Sequence, residues 1–154
     1  MNNITVERDY FGNELIIKKD DKKYLNLPLL FPKNRYNSPL KFTLKNDDIK
    51  IFYEYKYSHS LKHLIFPKFI ELNKDFLVGL GIYLAEGARN RHSKITNSQP
   101  IIINQGIKFF ELFKFNKKDF SAWIQLHERS NKSFKEVEKF WIKNTKLDER
   151  NIKR

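Results

Sequence analysis

Glu86 closes an apolar, glycine-bearing run, GLGIYLAEG, at residues 79–87. Val78, Gly81, Ile82 and Ala85 fall at i, i+3, i+4 and i+7, and Leu77, Leu80 and Leu84 repeat on a neighbouring face. This spacing predicts a helix over about 75–86 that is apolar around most of its circumference. Gly81 and Ala85, one turn apart, would let a second backbone approach closely, and Gly87 would end the helix in the left-handed conformation. A carboxylate in the last turn faces the negative end of the helix dipole, at a cost of up to about 1 kcal/mol. A bound cation reverses that sign. A carboxylate beside free helix-end carbonyls is a hard-oxygen donor set suited to Mg²⁺ or Ca²⁺. Two such acids, converging from two copies of the helix, would be apparatus for phosphodiester hydrolysis. The plainer alternative is a partly exposed acid at a helix end.

Cations follow the acid in ARNRHSK (88–94). Arg89, Arg91 and Lys94 would contact phosphates or stabilise charge in a transition state, or else form a basic surface loop. Lys135, Lys139, Lys143 and Lys146 form a second basic row in SFKEVEKFWIKNTK (133–146). That row suits a phosphate backbone, or a solvated helix face paired with Glu136 and Glu138. His59 and His63 are four apart, but no Glu or Cys accompanies them and the segment follows a strand, so they are read as ordinary histidines. Gly79-x-Gly81 lacks the third glycine of a dinucleotide loop.

The elements that must position these residues divide near residue 67. Residues 1–66 are β-rich, with expected strands at 14–19, 23–31, 40–44 and 49–57 separated by turn-forming residues. Residues 67–154 mix helix and strand. Strands are expected at 93–99 and 119–128, and helices at 100–115 and 133–146. Pro100 stands at a first helical position, and Ser133 and Glu136 have capping-box spacing. The fold class is α+β.

Charge narrows the partner. The 154 residues carry 30 Lys+Arg against 18 Asp+Glu, a formal +12, which calls for an anion: nucleic acid first, an anionic membrane second. There is no cysteine, which removes disulfides and Cys-ligated zinc and suits an intracellular setting. The start, MNNITVERDYFG, has no signal-peptide core, and no apolar run reaches the roughly 20 residues of a membrane span.

The run 79–87 resembles the nine-residue motif of the LAGLIDADG homing endonucleases, in the YLAEG form of its archaeal-type branch. Gly81, Ala85, Glu86 and Gly87 occupy the third, seventh, eighth and ninth positions, with Gly79 at the first and Leu84 at the sixth. FPKFIELNKDF before the motif, the TNSQP turn (96–100) and the helix bearing Trp141 extend the likeness over 66–147. The resemblance implies a mixed α/β LAGLIDADG-like domain at 67–154, preceded by a β-rich extension at 1–66. It implies that Val78, Gly81, Ile82 and Ala85 form a dimer-interface helix. It makes Glu86 the catalytic metal ligand, helped by the Ala85 backbone carbonyl, with Mg²⁺ as cofactor or, in its place, Mn²⁺ or Ca²⁺. One motif per chain implies a homodimer on double-stranded DNA. The expected setting is intracellular, cytoplasmic and nucleoid-associated, away from membranes. Only 67 residues follow Gly87, fewer strands than a full domain of that family uses. A reduced derivative that binds DNA or RNA without cutting is therefore the alternative expectation.

Overall fold

The computed structural model describes residues 4–8, 14–19, 21–30, 41–54, 61–87, 94–128 and 130–153. The chain is α+β and divides into two compact units, Met1–Lys74 and Asp75–Arg154. The boundary expected at 66/67 falls inside a strand, and the first unit runs on to Lys74.

Among the described residues, seven strands lie in the first unit: β1 (Ile4–Arg8), β2 (Glu14–Lys19), β3 (Lys22–Asn26), β4 (Lys41–Lys45), β5 (Asp48–Glu54), β6 (Leu61–Pro67) and β7 (Phe69–Glu71). One antiparallel sheet has the order β1-β2-β3-β7, and a second is the meander β4-β5-β6. Asp21 and Asn46 turn their hairpins at φ 62° and 53°, the left-handed region that short polar side chains tolerate. The strand expected at 23–31 stops at Asn26, because Pro28 has no N–H for a ladder. Leu27–Leu30 forms a 3₁₀ turn instead, with the Leu27 N–H donating to the Lys68 carbonyl at 3.0 Å. In the meander, Leu44, Ile49 and Phe66 lie side by side, as do Phe42, Ile51 and Leu64, so the alternating pattern makes one face apolar. Leu27, Ile49, Ile51 and Ile70 are the buried apolar residues of the first unit among those described.

The second unit contains α1 (Lys74–Glu86), α2 (Pro100–Glu111), β8 (Ala122–Trp123), α3 (Phe134–Asn144) and β9 (Ile152–Lys153). Aromatic packing joins α1 to α2. Phe76, Tyr83 and Phe110 surround Phe109, with ring centroids 5.7, 6.4 and 5.6 Å from it. Gly79 makes this contact possible, since a Cβ there would lie 2.2 Å from the Phe109 Cβ. Asp75 adds polar links, accepting from the Gln105 amide at 2.9 Å and pairing with Lys108 at 3.8 Å.

Two expected strands are much shorter than their patterns. The 93–99 segment contributes only a bridge between Ile95 and Gly87. The Asn97 side chain accepts from the Gln99 N–H at 2.9 Å, which turns the backbone toward α2. The 119–128 segment yields only β8, paired in parallel with β9. The capping box of α3 forms as its spacing predicts: Ser133 and Glu136 exchange side-chain-to-backbone bonds of 3.3 and 2.7 Å. Asn151, which no sequence pattern marks, is buried with both ends of its amide used. It donates to the Lys117 and Phe120 carbonyls at 2.8 and 3.0 Å and accepts from the Asp148 N–H at 2.9 Å. Those bonds fasten the C-terminal segment to the turn at 117–119.

Candidate functional site

The site is built on the side of α1 that α2 does not cover. Leu77, Val78 and Leu84 are 59%, 42% and 66% exposed, and Gly81 and Ala85 are exposed between them. A Cβ on Gly81 would meet nothing within 4 Å. Three of the four expected interface residues, Val78, Gly81 and Ala85, therefore lie in the open, while Ile82 is half-covered at the edge of the face. Leu77 and Leu84 extend the stripe. Their seven-residue spacing puts them on the open side together with Gly81, and not on a separate face as the sequence pattern suggests. The two glycines of Gly79-x-Gly81 point to opposite sides: one admits Phe109, and the other is open.

Glu86 stands at the C-terminal end of α1, exposed in its last turn and two turns beyond Gly79, so it borders the stripe without lying in it, and no basic residue shares that turn. An acid and helix-end carbonyls without a neighbouring cation of their own turn are a donor set that a hard divalent ion would fit. Among the described residues, no three His, Cys, Asp or Glu side chains converge. Gly87 closes the helix differently from the expected left-handed cap, because its φ lies outside the positive region. Its N–H still donates to the Tyr83 carbonyl at 2.9 Å, and a Cβ would lie 2.1 Å from that carbonyl oxygen. Close approach is what demands glycine here.

The bridge between Gly87 and Ile95 brings the backbone next to Lys94 back to the end of α1, and Lys94 is exposed there. Arg89 and Arg91 lie outside the described residues, as does His59. Lys135, Lys139 and Lys143 are exposed on α3, as the row predicted. Lys146 leaves the row. It follows the end of α3, its N–H donates to Asn104 Oδ1 at 2.9 Å, and its ammonium pairs with Glu111 on α2. His63 is exposed and tilts against Phe52, with centroids 6.3 Å apart.

Two carboxyl groups outside this site are strongly conditioned. Arg150, helped by Lys117, holds the Asp148 carboxyl far below the usual carboxylate range. Side-chain and backbone hydrogen bonds from Ser133 hold Glu136 below it too. Both serve local structure, not the end of α1. No helix among the described residues is long and apolar enough to cross a membrane. No family model, curated protein or solved structure matches the chain.

Proposed function

We propose that the chain is a DNA-binding, divalent-metal-dependent endonuclease of the LAGLIDADG homing type, acting inside the cell as a homodimer on double-stranded DNA. One observation carries the reading: α1 leaves an apolar stripe exposed, with an open glycine at its centre, and the same helix ends on an exposed carboxylate. The stripe needs a cover, and a second copy of the same helix brings a second Glu86 to the same end. Glu86 and the Ala85 carbonyl would hold Mg²⁺, or Mn²⁺ in its place. Such an ion, when bound, polarises a phosphodiester and lowers the pKa of an attacking water. The chain's own cations do the rest. Lys94, at the end of α1, neutralises phosphate charge near the acid. Lys135, Lys139 and Lys143 hold the duplex backbone farther out, so affinity falls steeply as salt rises.

The test is conversion of supercoiled plasmid carrying DNA of the source genome, with Mg²⁺, with EDTA, and with Glu86→Gln. Metal-dependent linear product, lost in the variant, is the expected result. Equal cutting by the variant would overturn the role of Glu86. Salt-sensitive duplex binding without cutting would replace the nuclease by its non-cleaving derivative.

A further inference from the structure

Trp123 is 71% exposed, far more than a residue of its size on a strand ordinarily leaves open. It lines an open cleft of about 580 Å³ in the second unit. Lys153 lies beside it, its register partner across the β8–β9 pair. Lys135 and Glu138, one turn apart on α3, line the cleft too, with Glu149 and buried Ile152. The volume lies in the range of small-molecule sites. Its chemistry has three parts: an indole plane, two ammonium groups and two carboxylates.

We infer that this cleft receives an unpaired nucleotide of a nucleic-acid strand, with its base stacked on Trp123. Each part of the lining has a use in that pose. Stacking on an aromatic plane is the sequence-tolerant element of single-strand recognition. Lys135 and Lys153 meet the flanking phosphates. A carboxylate accepts from an exocyclic amine, so Glu138 and Glu149 favour cytosine, whose N4 amine donates, over thymine, whose O4 only accepts. The surroundings select a polyanion: residues 129–154 hold 9 basic and 4 acidic residues, a net +5. A paired base within a duplex cannot offer its face, so the ligand is a single strand, a loop or a base extruded from its helix. The inference rests on the nucleic-acid part of the proposed function, but not on Glu86 or on cleavage.

The chain contains two tryptophans, and Trp141 on α3 is half-buried. The full-length Trp141→Phe variant therefore reports on Trp123 alone. It is titrated with 12-nucleotide single strands of cytosine or thymine, as DNA and as RNA, and with the matching duplex. The expected result is saturable quenching by the cytosine strands, weaker quenching by thymine and little by duplex. In parallel, anisotropy of a labelled cytosine strand compares the native chain with Trp123→Leu and Trp123→Phe. Leucine is expected to weaken binding about tenfold and phenylalanine less, in line with the loss of one stacked base. This arm needs no change at Trp141. Circular dichroism checks both exposed-site variants for native helix content. Glu86 does not line this cleft, and none of these readings requires metal or cutting, so failure of this site and failure of the nuclease are read separately. Equal binding by Trp123→Leu, quenching by duplex as strong as by single strands, or equal competition by polyglutamate would overturn the inference.

Discussion

The two sides of α1 differ in what their glycines face. On one side Gly79 is buried against Phe109, and Phe76 and Tyr83 pack around it. On the other Gly81 faces open space among Leu77, Val78, Leu84 and Ala85. The first side is finished within the chain. The second offers the same chemistry, small residue and large apolar neighbours, and among the described residues nothing beyond the helix's own backbone and Gly81's two chain neighbours comes within 4 Å of the Gly81 Cβ position. The contrast teaches that the two glycines do different things, one closing the fold and the other leaving a face open, and that they are separable by mutation.

The largest effect is expected on assembly. Leu77→Glu combined with Leu84→Glu removes two large apolar contacts from the open side, each worth about 1.5–3 kcal/mol when buried. Self-association measured by sedimentation should weaken by more than about a hundredfold, with helix content kept because both positions are exposed. Unchanged association would place the interface elsewhere. Next comes Gly79→Ala. Alanine gains about 1 kcal/mol of helix propensity. Its Cβ meets the root of the Phe109 side chain, which cannot swing away, so overpacking of about 3 kcal/mol wins. A net loss of about 2 kcal/mol should appear as a lower urea midpoint. Gly81→Ala should do the reverse. It meets no steric opposition and should raise monomer stability by about 1 kcal/mol. If the two alanine variants shift stability in the same direction, the two-sided reading of α1 fails.

How much of this was legible in the sequence depends on the range of the contacts. Local signals came through well: β2 at 14–19, the start of α2 at Pro100, and the Ser133–Glu136 capping box, because each is decided within a few residues. The stripe on α1 was legible as a 3.6-residue period. Which of its glycines faces inward was not, since that depends on Phe109, thirty residues away. The alternation at 119–128 suggested a long strand, but it meets only the two residues of β9, so the ladder is two residues long. Asn151 and Trp123 gave no local cue. The importance of the first comes from carbonyls more than thirty residues away, and that of the second from lining residues on α3 and near the chain's end. Strand β7 was hidden by Pro67 and by its brevity. Its partner β3 lies more than forty residues earlier.

The smallest predicted effect concerns the second unit as a whole, and it separates packing from charge. Asp148 is bound by Arg150 at 2.9 Å and Lys117 at 3.2 Å, so its carboxyl ionises more readily folded than unfolded. Glu136 behaves in the same direction through Ser133. For a group depressed on folding, the stabilisation is complete above the unfolded value, near pH 4, and is lost as pH falls toward the folded one. The urea midpoint should therefore decline from about pH 5 downward. Gly81→Ala changes packing freedom and touches no carboxylate, so it should raise the whole curve without altering its acid slope. Asp148→Asn should lower the neutral plateau slightly and flatten the acid limb, since the side chain that titrates is gone. A parallel shift in one variant and a flattened limb in the other would show that the open side of α1 and the Asp148 anchor stabilise independently. A flattened limb in Gly81→Ala would mean that the two are coupled, and α1 could then no longer be treated as two independent faces.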